Sequence, residues 1–192
     1  GFTSQLDIDD SKLLVARVRA FKRGEALRAE DLPAVLWINP RFADDDRRAP
    51  PHLFSAGGFL TVSEAFAEVL RGFDLGRTRL HRVELLLSNR EPFPGRYYLL
   101  NIAEVHRYFS PEHSARFKPL TNSASSYIAN VKLDTHDDDI SVAPAALTGP
   151  DLWIDDTILT HVFCSDRLVR ELRAAKVAGR LPLYRCRVLM VN

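Results

Sequence analysis

The chain uses one pattern twice, and that pattern limits its fold more than any other feature. Residues 62–76 read Val-Ser-Glu-Ala-Phe-Ala-Glu-Val-Leu-Arg-Gly-Phe-Asp-Leu-Gly, and residues 164–179 read Cys-Ser-Asp-Arg-Leu-Val-Arg-Glu-Leu-Arg-Ala-Ala-Lys-Val-Ala-Gly. Each copy sets a serine (Ser63, Ser165) and an acid (Glu64, Asp166) before apolar residues at helical spacing, Phe66 with Leu70 and Leu168 with Leu172. A serine there can cap the free N–H groups of a first helical turn. Each copy then reaches a glycine, Gly76 or Gly179, ahead of a β-prone stretch. The pattern specifies a capped helix feeding a strand. It is a folding unit and not a catalytic site.

A chain of 192 residues can bury a sizeable core, and 46% hydrophobic with 27% charged residues is ordinary for a globular protein. The expectation is a single α+β domain over residues 1–192, with antiparallel sheet and pseudo-repeated halves at 55–102 and 150–190. The formal net charge is +1, and residues 1–96 carry 15 basic and 14 acidic side chains against 11 and 11 in the remainder. A nucleic-acid binder concentrates basic charge, because phosphate neutralisation supplies most of its affinity. Runs such as Arg17, Arg19, Lys22 and Arg23 read as solvated faces, so no nucleic-acid partner is expected. No apolar run approaches the roughly 20 residues that cross a bilayer, so no membrane partner is expected either. The start, Gly1-Phe2-Thr3-Ser4-Gln5, lacks an initiator Met and the layout of a secretory signal, which suggests a processed end with an upstream segment missing. Cys164 and Cys186 share no metal or redox spacing, and so few thiols suit a reducing compartment, the cytoplasm by default.

Along the chain, Leu13–Val18 reads as a strand, residues 24–33 as a turn and short helical piece stopped by Pro33, and Val35–Ile38 as a strand. Residues 41–52 read as an exposed loop. Phe66, Val69, Leu70 and Phe73 make one helix face capped by Ser63, with Thr61 as the rival cap. His81–Leu87 and Tyr97–Ile102 form a hairpin, Thr121–Ser126 a loop, and Tyr127–Leu133 a β-like stretch. Thr160–Phe163 is a short strand, 166–177 a helix ending at a left-handed Gly179, and Tyr184–Leu189 a strand.

The chemistry-bearing residues do not form a recognisable set. His136 lies among Asp134, Asp137, Asp138 and Asp139, but residues 134–145 lack the glycine and terminal glutamate of a calcium loop. His106 with Glu104, and His161 near Asp155 and Asp156, are sequence neighbours whose geometry alone could make them acid–base pairs. No nucleophile elbow, phosphate loop or dinucleotide fingerprint is present, and the Gly57-Gly58 pair reads as a hinge. Neither cofactor nor metal is expected. Two features suit binding instead: the acidic turns at 44–46 and 134–139, and Leu152-Trp153-Ile154-Asp155-Asp156, an aromatic anchor beside carboxylates. The low-resolution map of a partner surface is therefore Asp134, Asp137, Asp138, Asp139, Trp153, Asp155 and Asp156, with a purely core role for Trp153 left open.

Gly149-Pro150-Asp151-Leu152-Trp153 through His161-Val162-Phe163-Cys164-Ser165-Asp166, then Leu168, Leu172 and Ala178-Gly179, resembles the C-terminal signature of bacterial polymorphic-toxin immunity family 11. Tyr97-Tyr98-Leu99-Leu100-Asn101-Ile102 is similar to that family's tyrosine–leucine–asparagine strand, and the stretch around Ser63 to its N-terminal half. The resemblance covers roughly residues 55–190 and leaves the first forty unmatched. It implies a protein without enzymatic activity that binds and neutralises a cognate toxin as a stoichiometric inhibitor. The rival expectations are an enzyme of unrecognised type with a His/Asp site near His136 or His161, and a scaffold module of a larger assembly.

Overall fold

The computed structural model describes residues 2–4, 11–123, 126–159, 161–179 and 181–190. A six-stranded sheet organises the first hundred residues. Its strands are β1 (Phe2–Ser4), β2 (Val35–Ile38), β3 (Leu53–Ala56), β4 (Phe59–Ser63), β5 (Arg79–Leu86) and β6 (Tyr97–Asn101), in the spatial order β1-β2-β5-β6-β4-β3. The β2–β5 pairing is parallel and the others are antiparallel. Gly57 and Gly58 (φ +58° and +88°) join β3 to β4 in a two-residue turn, since only mirror-image turns match the twist of paired strands. The glycine pair is thus a hairpin turn and not a hinge. The expected β5–β6 hairpin forms, with Val83 opposite Tyr97 and Arg79 opposite Asn101.

Alternation along the strands divides the core in two. On one face Phe59, Val83, Leu85, Tyr97 and Leu99 pack with Leu36 and Ile38 beneath helix α1 (Ser11–Lys22). On the other, Val62 and Leu100 meet α2 (Glu64–Arg71) and α3 (Asp166–Ala174), whose Phe66, Leu70, Leu168 and Leu172 are buried together. The segment Leu13–Val18, expected as a strand, is helical. Leu14, Val18 and Phe21 lie at i, i+4 and i+7 and reach the core, while Leu13 and Val15 face solvent. Tertiary packing of that stripe outweighs the β preference of its valines. Residues Pro40–Arg47, expected as loop, form short helical turns begun by Asn39, whose side chain accepts the Arg41 N–H at 3.0 Å.

Beyond β6 the sheets are smaller. Strand β7 (Val105–His106) leads to a hairpin of β8 (Phe117–Ser123) and β9 (Ser126–Val131), so pairing extends into the segment expected as a serine-rich loop; its residues 124 and 125 lie outside the described residues. Then come β10 (Ser141–Val142), β11 (Leu152–Asp155), β12 (Val162–Cys164) and β13 (Arg187–Val188). Strand β11 runs parallel to β7 and antiparallel to β12, and β10 pairs in parallel with β13. The fold is α+β with mostly antiparallel sheets.

Both serine-led helices are capped as expected. Ser63 Oγ accepts from the Phe66 N–H at 3.4 Å and Ser165 Oγ from the Leu168 N–H at 3.2 Å. The rival cap, Thr61, is a buried residue of β4. Helix α3 ends earlier than its sequence suggests. Lys176 (φ +58°) takes the left-handed position, and the N–H groups of Lys176 and Val177 return to the carbonyls of Arg173 and Leu172 at 3.0 Å each. That is the double-bonded helix end usually made by glycine. Gly179, also at positive φ, lies three residues further on.

Candidate functional site

The acidic turn at 134–139 is exposed, and its carboxylates already have partners. Arg116 Nη1 donates to Asp134 at 2.7 Å. The Arg185 N–H donates to Asp137 at 2.8 Å, and its guanidinium grips Asp138 at 3.0 and 2.5 Å. Hydrogen bonding from Arg185 holds the Asp138 carboxyl below the usual carboxylate range. Asp139 accepts the His136 N–H at 2.8 Å. Asp138 itself sits at φ +67°, a conformation that aspartate tolerates better than most side chains. The turn is thus a rigid acid–arginine surface anchored to the segment before β13.

The second cluster splits by depth. Trp153 is buried, stacked on Phe163 with centroids 5.6 Å apart and met edge-on by Tyr108 at 5.9 Å. Its indole N–H is buried and has no acceptor among the described residues. Asp155 is 2% exposed; it accepts the N–H groups of Tyr108 and Phe109 at 2.8 and 2.9 Å and that of Thr157 at 3.0 Å. Asp156 faces outward and forms a two-point pair with Arg107, both contacts at 2.8 Å. Trp153 and Asp155 therefore shape the strand that presents Asp156. Among the described residues, no hydrogen bond or ion pair joins Asp155 or Asp156 to the acidic turn.

His106 and Glu104 do meet, at 3.1 Å. Burial opposes ionisation of Glu104, yet bonds from the Arg77 N–H (2.7 Å) and guanidinium (3.2 Å) leave its carboxyl below its ordinary range. His106 stacks on Tyr108 at 4.9 Å. His161 Nδ1 lies 2.6 Å from the Leu159 carbonyl oxygen, and among the described residues it forms no ion pair with a carboxylate. Burial, with the neighbouring Cys186, pushes the Cys164 thiol up to about 11, and burial does the same for Cys186. Neither is an activated thiol. Among the described residues no group of three or more His, Cys, Asp or Glu side chains is placed to hold a metal ion.

One decisive residue escaped the sequence reading. Asp151 is 1% exposed and accepts Ser165 Oγ (2.5 Å), the Asp74 N–H (3.0 Å) and both arms of Arg167 (2.6 Å each). Burial resists its ionisation, but Arg167, Ser165 and the Asp74 N–H hold its carboxyl below the ordinary range. The signal was available: a carboxylate entering the apolar run Leu152-Trp153-Ile154 must find a partner, and Ser165 with Arg167 supplies one.

These features describe a protein whose polar chemistry holds surfaces in place. Residues 6–181 match an immunity protein family. The chain belongs to that family, Imm11, and the match takes in the N-terminal helix that the sequence resemblance left unmatched. No curated protein and no solved structure matches the chain. Among the described residues no helix is long and apolar enough to cross a membrane.

Proposed function

We propose that the chain binds a cognate protein toxin and neutralises it by stoichiometric association, without cofactor and without chemistry of its own. Membership of an immunity protein family carries this reading. The arrangement of the carboxylates supports it: Asp134, Asp137, Asp138, Asp139 and Asp156 stand at the surface, held by arginines or backbone N–H groups. A partner then meets side chains whose rotamers are already fixed, which lowers the entropic cost of association. Trp153 and Asp155 contribute from beneath by fixing β11 and the residues after β7. Occlusion of the toxin's active site is the simplest mechanism.

The test is growth of bacteria expressing the toxin encoded beside this chain. Wild type and the His106→Ala, His136→Ala and His161→Ala variants are expected to protect equally. Loss of protection by orders of magnitude at a single histidine, with the fold intact, would favour an enzyme. Asp138→Asn breaks the two-point pair with Arg185 and is expected to weaken the complex several-fold by loosening a preorganised turn.

A further inference from the structure

Many arginines here are neutralised where they stand: Arg28, Arg71, Arg77, Arg107, Arg116 and Arg185 each face a carboxylate. The outer side of α1 is different. Its 12 residues contain Lys12, Arg17, Arg19 and Lys22 and no acid, and Arg23 follows directly. Arg17 pairs with the buried Asp31. Arg19 and Arg23 have no ion-pair partner among the described residues.

Those two arginines line a groove of about 370 Å³. Leu13, Ala16, Ala20 and Leu27 supply its apolar surface, and Glu25 is the one acid among the described residues of its lining. Leu13, Ala16 and Ala20 lie at i, i+3 and i+7, so they share one stripe of the helix. The two alanines leave the hollow, and Leu13, 44% exposed, forms part of its wall. Among the described residues the lining sets one carboxylate, Glu25, against Arg17, Arg19 and Arg23, and this cationic excess beside an apolar hollow is complementary to an apolar side chain flanked by carboxylates.

We propose that this groove docks an acidic segment of the protein partner, with carboxylates on Arg19 and Arg23 and an apolar side chain against Ala16 and Ala20. This rests on the toxin-binding reading and adds to it. The acid–arginine pairs of the 134–139 turn are internally balanced, whereas the α1 groove carries charge free to steer an encounter. Nucleic acid fits less well, since an alanine–leucine floor offers nothing to a sugar–phosphate chain and the net charge is only +1. A second copy fits less well too, because the carboxylates of its 134–139 turn are already engaged.

A short fluorescein-labelled peptide of Glu and Leu at helical spacing is the probe, followed by anisotropy at low and high salt. Wild type is expected to bind it saturably and to ignore the matching Lys/Leu peptide. The Arg19→Glu/Arg23→Glu double variant should weaken binding by about tenfold or more. Ala16→Trp should weaken it comparably by filling the hollow without changing charge, and circular dichroism of each variant checks folding. Peptide binding that is absent, or unchanged in both variants, overturns the proposal. So does tighter binding of a DNA duplex with the same dependence on Arg19 and Arg23. With the toxin itself, a wild-type complex insensitive to these substitutions removes the groove and leaves the immunity reading standing. No complex with wild type removes the immunity reading, and the peptide result then decides the groove alone.

Discussion

The carboxylate of Asp151 accepts bonds from three residues on two pieces of chain: Asp74 after α2, and Ser165 with Arg167 at the start of α3. Replacing it with asparagine keeps the shape but removes the charge facing Arg167. Asp151→Asn is expected to destabilise the fold by about 1–3 kcal/mol, the cost of spoiling hydrogen bonds to a buried carboxylate whose arginine partner is itself largely exposed. Urea denaturation measures this, and a loss below about 0.5 kcal/mol would contradict the role assigned to Asp151. The same residue sets a pH dependence. Asp151 and Glu104 have folded-state pKa values below their ordinary ones, and hydrogen bonds from Arg71 and then Tyr98 lower Glu64 from 4.5 to about 2. Depressed carboxylates contribute stability that is complete above their unfolded values and is lost as pH falls through the folded ones. For Glu64 that window runs from 4.5 down to about 2. The urea midpoint should therefore fall steadily below that upper limit, and Glu64→Gln should flatten the decline. A midpoint indifferent to acid would show that these carboxylates do not stabilise the fold.

At the scale of elements, the two capped helices make unequal demands. Ser63→Ala removes a cap and an exposed 2.7 Å hydrogen bond to His52 Nδ1, and should cost about 1 kcal/mol. Ser165→Ala removes a cap and also the hydroxyl donated to the buried Asp151, so it should cost more, about 2 kcal/mol. Equal melting temperatures for the two variants would refute that difference. Lys176 holds a left-handed conformation that glycine adopts without strain, so Lys176→Gly should stabilise by up to about 1 kcal/mol. Both helices were legible from sequence because serine, acid and apolar spacing agree at each start. The end of α3 was not, since the bonds that stop it depend on Lys176 accepting an unfavourable backbone geometry. Helix α1 was misread for a related reason. Its run Leu13-Leu14-Val15-Ala16-Arg17-Val18 fits a strand locally, and only the core beneath Leu14, Val18 and Phe21 selects the helix.

At the scale of the molecule, one sheet separates two cores, with α1 over one face and α2 with α3 over the other. The α+β class followed from the hairpin read in His81–Leu87 and Tyr97–Ile102 and the helical spacing in the two serine-led segments. The candidate surface was only partly legible. A run of acids announced an exposed turn at 134–139, but the arginines that clamp it, Arg116 and Arg185, lie far away in sequence. Depth at 153–156 was equally hidden, because β11 is buried or half-buried along its whole length and only Asp156, just past its end, reaches solvent. The central claim is one-to-one neutralisation of a cognate toxin. Calorimetric titration of this chain with the product of the adjacent upstream gene, paired with the growth assay, tests that most directly. Saturation at one chain per toxin, together with restored growth, is the expected result. Absence of heat and of protection, with both proteins folded, would contradict it.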